Sequence, residues 1–310
     1  MEIYYQGTDI TDVAQVRTCT VRDTCGAKCD GLEISLEDAE SWMRWQPQTD
    51  DEIRVTLDGY NSGTMYVNTV WPEDGEYTIL ASALPCVARR REYRTYAGKT
   101  VEAIVRECAN NSNMGYALYG GDGNTVIPYI RQENESAAAF LDRLAAAEGA
   151  KLKCAERMYW LIDILTAQAT PAVRLIELTA ESRGAVYTHS GRRLKTLTVI
   201  SALATGNATD SAAEEHSQNL TIYGAPVSGN ALQAQVQAGR TARALLLQQN
   251  RESETLKLET VFDPALTAMA RIDITGGTDA DGEWIVDTAE HDLVNKTSKT
   301  RLVRCIRTII

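Results

Sequence analysis

The sequence predicts an α+β protein that is mostly β, with two antiparallel β units over residues 1–90 and 171–310 and a small α+β insert over 91–170 between them. Three observations carry that prediction. Apolar residues alternate with a period of two near both ends of the chain, at Leu32, Ile34 and Leu36 and again at Leu256 and Leu258, which marks half-buried strands. Around Pro85 the period changes to that of a helix. Finally, one stretch occurs twice.

Ile53-Arg54-Val55-Thr56 through Gly63-Thr64-Met65-Tyr66-Val67-Asn68-Thr69 aligns without a gap against Ile272-Asp273-Ile274-Thr275 through Gly282-Glu283-Trp284-Ile285-Val286-Asp287-Thr288. Each copy reads as a strand, a turn rich in Gly, Asp and Asn, and a second strand starting just after a glycine, a β-hairpin signature. The matched positions are Ile53, Val55, Gly63 and Val67 with Ile272, Ile274, Gly282 and Val286. Alternating strands precede both copies, and further strands follow at 77–83 and 301–306, so each end carries a similar four-strand unit. Two hairpins can share valines, isoleucines and glycines by chance; the identical spacing across the turn favours a repeat.

In chain order, strands are expected at 1–5, 16–21 and 32–36, with turns at Asp23-Thr24-Cys25-Gly26 and Cys29-Asp30-Gly31. Trp42 and Trp45 pack as a pair over one end of the sheet. Thr100 caps a helix burying Val101, Ile104, Val105 and Cys108, and Ser136 caps a second burying Ala139, Phe140, Leu144 and Ala147. A hairpin is expected between them, 116–119 with 126–130, around Gly120-Gly121-Asp122-Gly123. That glycine run has neither a following Lys-Ser/Thr nor a helix start, so it is no phosphate loop. Strands at 151–155 and 158–165 complete the insert. Three strands follow at 173–178, 185–188 and 194–200, then a loop-like polar stretch at 205–219. The longest helix starts at Asn230, which has capping-box spacing to Gln233, and buries Leu232, Val236, Gly239, Ala242 and Leu246 down to Asn250.

The chain has 310 residues, 44% of them hydrophobic and 24% charged, the profile of a globular protein with a substantial core. Its 42 Asp and Glu against 31 Lys and Arg leave a net charge of −11, which argues against a dedicated nucleic-acid binder. The triplet Arg89-Arg90-Arg91 reads as a solvated edge. There is no apolar stretch long enough to span a membrane, and the N-terminus lacks the build of a signal peptide; synthesis in the cytoplasm is expected. Seven cysteines are an odd number in irregular spacing. Cys19, Cys25 and Cys29 lack the paired spacing of a zinc ribbon, and most of the seven read as small buried hydrophobes.

The residues suggest no chemistry. His189, His216 and His291 are isolated, and Glu214-Glu215-His216 has no nucleophile or metal-ligand partner at a recognisable spacing. Asp279-Ala280-Asp281-Gly282 resembles part of a calcium loop, but its anchors would fall on Gly277 and Thr288. No catalytic, cofactor or metal residue is assigned.

Arg131-Gln132-Glu133-Asn134-Glu135-Ser136, then Phe140-Leu141-Asp142-Arg143-Leu144-Ala145 and Gly149, resemble a stretch of the late control gene D family of phage tail proteins, which includes baseplate hubs and the hub portion of VgrG spikes. The chain's end is similar as well: Ala238 to Leu247, Asn250, Leu256-Lys257-Leu258, and Gly282-Glu283-Trp284-Ile285-Val286-Asp287 up to Glu290-His291. Asp50 to Val55 and Gly63 to Val67 resemble the shorter hubs of Gram-positive contractile phages. The resemblance implies two related tube-type β domains per chain and a homotrimer that matches a six-fold tail tube to a three-fold central spike. Other baseplate proteins are further partners, and no cofactor, specific nucleic-acid contact or membrane segment is implied. It also implies a channel, for which an acidic wall would suit a sliding polyanion. With no spike extension after Ile310, a separate spike is expected. The expected function is therefore a structural hub of a contractile phage tail or tail-like particle (tailocin), with no catalysis. The alternatives are a tail-associated cell-wall hydrolase with dispersed acids and a β-rich glycan-binding adhesin, for which Trp42 and Trp45 would have to be exposed.

Overall fold

Strands take up 49% of the chain and helices 20%, so the protein is mostly β, as the alternation predicts. The structure, a computed structural model, describes every residue except Asp38, Ala180, Arg183, Ala202, His216, residues 224–230 and the side chain of Ala231. His216 and the Asn230 cap therefore lie outside the described residues.

The first part of the chain runs β1 (Glu2–Tyr5), β2 (Thr8–Asp9), β3 (Val16–Thr24), β4 (Gly31–Glu37), α1 (Ala39–Trp45), β5 (Glu52–Leu57), β6 (Tyr60–Asn61), β7 (Met65–Glu73) and β8 (Glu76–Ser82). Alternation places Ile53, Val55 and Leu57 of β5 on the buried side, where they share a core with Ile3, Ile34, Met65 and Ile79. Trp42 joins that core, while Trp45 packs tilted against it at 4.9 Å and against Tyr5 at 4.3 Å and is 46% exposed. Contrary to the expected turn, β3 continues through Asp23 and Thr24, whose side chains are buried.

The middle of the chain runs β9 (Arg91–Thr100), α2 (Val101–Asn111), β10 (Gly115–Tyr119), β11 (Val126–Ser136), α3 (Ala137–Ala147), β12 (Ala150–Ala155), β13 (Met158–Asp163) and α4 (Ile164–Ala169). Both expected caps form: Thr100 accepts from the Ala103 N–H and Ser136 from the Ala139 N–H, each at 3.2 Å. On α3 the buried residues are Ala138, Phe140, Leu141, Leu144 and Ala145, so Ala139 and Ala147 lie beside the buried stripe. The expected hairpin does not form. β10 pairs in parallel with β13, and β11 pairs with β9, so the glycine run joins two different sheets. Polar β9 carries no alternation that would have announced it as a partner. The last expected strand stops at Asp163, whose carboxylate caps α4 through the Thr166 N–H at 2.6 Å.

The rest runs β14 (Arg174–Glu177), β15 (Ala185–His189), β16 (Leu194–Ile200), β17 (Thr205–Thr209), β18 (Gln218–Tyr223), α5 (Ala231–Arg251), β19 (Glu254–Val261), β20 (Arg271–Thr275), β21 (Gly282–Asp292) and β22 (Thr297–Arg304). The polar stretch expected to be a loop holds β17 and the start of β18, flanking β16. Its small residues are there because α5 lies against it. A Cβ on Gly206 would sit 2.1 Å from the Ala238 carbonyl carbon, a distance only glycine permits. For the same reason α5 buries Ala234, Ala238, Ala242 and Leu246, while Leu232 and Val236, expected inside, are 74% and 53% exposed. At its end Asn250 is fully buried, bonded to both backbone groups of Leu194 and to Asp210.

Both ends of the chain enter one large sheet, in the order β15, β19, β22, β21, β3, β4, β8, β7, β5, β1, β2, with β14 and β20 branching from β21 and β6 from β5.

Candidate assembly interface

The two hairpins singled out in the sequence occupy corresponding places in that sheet. Ile53, Val55 and Val67, like Ile272, Ile274 and Val286, are at most 2% exposed, and Gly63 and Gly282 take positive φ of 70° and 130° where the second strand begins. A shift of 219 residues carries Ile53 opposite Met65 onto Ile272 opposite Trp284. The same shift carries the β-bulge between Val67 and Thr69 onto the bulge between Val286 and Thr288. Just before each hairpin, Asp50 and Met269 have left-handed φ of 70° and 71°. There the Val67 N–H donates to Asp51 and its carbonyl accepts from Asp50; Val286 does the same with Ala270 and Met269. The strand orders agree as well, β4, β8, β7, β5 against β19, β22, β21, β20. The sequence carried no sign of the bulges or of the paired left-handed residues, because Asp50 and Met269 share no side-chain chemistry.

A seam joins the two ends of the chain. After the bulge, Thr288–Asp292 of β21 leaves β20 and pairs with Thr24 to Thr20 of β3. His291 lies on the buried side of this seam, its Nδ1 2.8 Å from Ser298 Oγ between the rings of Tyr60 and Phe262. Burial pulls its pKa down, so it packs as a neutral ring. His189 is exposed at the outer strand β15. The two described histidines are thus far apart in role and share no partner.

The opposite face of the seam is exposed and polar. Reading across four strands, Glu259, Lys299, Glu290 and Arg22 stand opposite one another in sequence, with Arg22 bonded to Glu290 at 3.0 Å. One neighbouring row holds Lys257 and Arg301 and the other holds Asp292 and Glu33. The face is therefore mixed in sign.

A buried ion cluster ties the insert to the seam. Lys153 Nζ on β12 lies 2.7 Å from Asp23 Oδ1 and 2.9 Å from Asp30 Oδ2, with the three side chains 14%, 9% and 8% exposed. Asp23 also accepts from the Ala268 N–H and Asp30 from the Thr24 N–H. Burial, then Asp23, pushes the Asp30 carboxyl up to about 7, while the two carboxylates hold the Lys153 ammonium charged against the pull of burial. Such a cluster fixes orientation more than it adds stability. Nothing in the sequence singled out these residues, since Lys153 alternates with Lys151 as an ordinary strand lysine would.

Cys19, Cys25 and Cys29 lie nearby as thiols pushed by burial to about 12, 12 and 11, the reverse of a reactive or metal-binding cysteine. Among the described residues no group of three His, Cys, Asp or Glu is placed to hold a metal. A cleft of about 480 Å³ between the insert and β7–β8 is lined by Lys28, Asn68, Arg89, Arg91 and Glu135, with Cys29 and Ser136; burial pushes the Cys29 thiol up and Ser136 is the cap of α3, so neither is an activated nucleophile. Asp279 and Asp281 belong to the turn before β21, where Asp281 accepts from the N–H groups of Gly277 and Thr278. No described helix is long and apolar enough to cross a membrane.

The molecule as a whole has the fold of several solved structures. Its fold matches that of a tail protein from Neisseria meningitidis (TM-score 0.73, 12% identity, 98% of this chain and 95% of that one). It also matches a 43 kDa prophage tail protein from Shewanella oneidensis (0.69, 15%, 98% and 96%). A third match is an Escherichia coli component of the type VI secretion system with similarity to bacteriophage tail proteins (0.61, 12%, 99% and 78%). No protein of curated function matches the chain in sequence. The family model of the phage tail baseplate hub (GPD) matches residues 69–297, which take in the whole insert and the second hairpin but begin where the first hairpin ends, and the chain belongs to that family.

Proposed function

We propose that the protein is a trimeric adaptor at the centre of a baseplate, in a contractile phage tail or a tail-like particle. Each copy supplies two related tube-type β domains, roughly residues 1–90 and 171–310, so three copies present six similar units to a six-fold tail tube and a three-fold face to a central spike. The observation that carries this reading is the agreement of strand order, register, bulge and left-handed residue between the two hairpins under one shift. Ile53, Val55, Gly63 and Val67 are then duplicates of Ile272, Ile274, Gly282 and Val286. The insert, 91–170, faces surrounding baseplate proteins with Tyr93, Val126 and Tyr129, which are 74%, 48% and 43% exposed. The role is structural, without catalysis, and the chain is made in the host cytoplasm before it enters the particle. Burial of Trp42 weighs against a stacked pair of exposed sugar-binding tryptophans.

The test is the absolute mass of the purified protein by light scattering, alone and mixed with the spike protein encoded beside it. A trimer in either condition is expected. A monomer in both overturns the reading.

A further inference from the structure

Two edges of the sheet of a single copy stand open in matching ways. β15 pairs with β19 on one side only, and Thr69–Glu73 of β7 pairs with β8 on one side and, among the described residues, with no strand on the other. An open edge is a template for a further strand, and the chain already contains the pairing that would fill these. The shift of 219 residues takes Thr69–Glu73 onto Thr288–Asp292, the part of β21 that pairs with β3. The counterpart of β3 is β15. One lateral row of the sheet reads Val67, Ala81, Leu32, Val21; the corresponding row reads Val286, Leu302, Leu256, Tyr187. The seam inside each copy thus joins one half's outer strand to the other half's hairpin, and the two strands left over are the same two kinds.

We infer that copies of the chain join edge to edge, β15 of one lying antiparallel against Thr69–Glu73 of the next in the register of the internal seam. This rests on the hub reading and names the contact through which the copies meet. In that register Val70 faces His189 and Pro72 faces Tyr187, as Ala289 faces Asp23 and His291 faces Val21 in the seam.

The backbone polarity fits. Ser190 donates to Ser253 and Gly184 accepts from Glu259, both toward β19, so by alternation residues 185, 187 and 189 point their N–H and C=O groups outward. On the other edge the two-residue turn Asp74-Gly75, with φ of 50° and 85°, makes Glu73 and Glu76 the hydrogen-bonded pair. Val70 and Pro72 then direct their backbone groups outward. Val70 and His189 exchange two bonds, and the Pro72 carbonyl accepts a third from Tyr187. Proline has no N–H to give, which suits an edge that must refuse promiscuous strands and accept one partner. On the core side Val70, Pro72 and Tyr187 meet as apolar groups, Tyr187 already packed against Trp284. On the exposed side the junction brings together Trp71 and Thr188, and Glu73 and Val186, of which Val186 is 57% exposed in the single copy. The two edges differ, so the contact is head to tail, and in the three-copy hub it closes as a ring.

Adjacent residues of a strand face opposite sides, which gives a test of register. Glu73 and Val186 form a non-hydrogen-bonded pair, the close kind whose geometry suits a disulfide. In a Cys86→Ser background, which removes an exposed native thiol, E73C with V186C is expected to give covalent rings under mild oxidation on a non-reducing gel. E73C with Y187C is expected to stay uncrosslinked. His189→Pro deletes an outward donor without touching the β19 ladder, and is expected to raise the concentration for half-assembly roughly tenfold while the circular dichroism of the single copy is kept. A wild-type trimer in which E73C with V186C does not crosslink, or crosslinks no better than E73C with Y187C, overturns the edge pairing and leaves the hub reading standing. A wild type that stays monomeric alone and with the spike overturns both.

Discussion

Replacing Lys153 by Met removes a charge and keeps a side chain of similar length, and the structure says how the protein should respond. The ammonium lies 2.7 Å from Asp23 and 2.9 Å from Asp30, all three groups being largely buried. Without it the two carboxylates face each other with one backbone N–H apiece, from Ala268 and Thr24. Breaking a buried pair in this way costs about 3–5 kcal/mol, against a total stability of about 5–15 kcal/mol for a typical protein. The loss should depend on pH. Burial and Asp23 raise the Asp30 carboxyl to about 7 in the folded protein, from 3.8 without them. The folded state therefore binds that proton more tightly than the unfolded state, and the contribution of Asp30 to wild-type stability falls as pH rises from about 4 to 7, then levels off. Lys153 lowers the Asp30 pKa, so in Lys153→Met it lies higher still and the loss continues above pH 7, by about 1.4 kcal/mol per unit. Urea unfolding followed by tryptophan fluorescence at pH 6 and pH 8.5 reads both effects. The gap between wild type and variant should widen at the higher pH, and adding Asp30→Asn should narrow it. A penalty under about 1 kcal/mol at pH 8.5, or an equal gap at both pH values, would refute the reasoning.

Other positions give sharper local tests. Gly206→Ala places a methyl 2.1 Å from the Ala238 backbone; a loss of about 1–3 kcal/mol in urea unfolding is expected, and Ala238→Gly should not restore it because the clash is with main chain. Thr100→Ala and Ser136→Ala each remove a helix cap and should each lower stability by about 1 kcal/mol in the same assay. Arg22→Gln breaks an ion pair whose partners are 65% and 40% exposed; a change under about 1 kcal/mol is expected, vanishing in 1 M salt.

Strands with one dry face were legible in the sequence. β1, β4, β5 and β12 follow their alternation, and α2 and α3 start at the Thr and Ser that cap them. The failures have a common physical origin in contacts between distant parts of the chain. β9 and β11 form a largely exposed ribbon whose polar sequence has no period to read. β17 looks like a loop because Gly206 and Ala208 are small, and they are small because α5 rests on them. On α5 itself alanines face the protein, so the larger Leu232 and Val236 led the eye to the wrong side. For the assembly interface, the repeat of hairpin residues was visible but the seam was not. β3 and β21 are separated by most of the chain, and their pairing leaves no mark in either segment.

The alternation of sign along Glu259, Lys299, Glu290 and Arg22 determines how far that row makes itself felt. Strands lie about 4.8 Å apart, so the charge pattern repeats every ~9.6 Å, and the field of such a stripe dies away over about 1.5 Å, much less than the ~8 Å screening length of physiological salt. A monopole of the same four residues would reach several times farther. The chain's acid surplus of −11 is thus carried elsewhere. A charge held a water layer above this row would feel little of it, and would feel instead the flanking rows, Lys257 with Arg301 on one side and Asp292 with Glu33 on the other, each of a single sign.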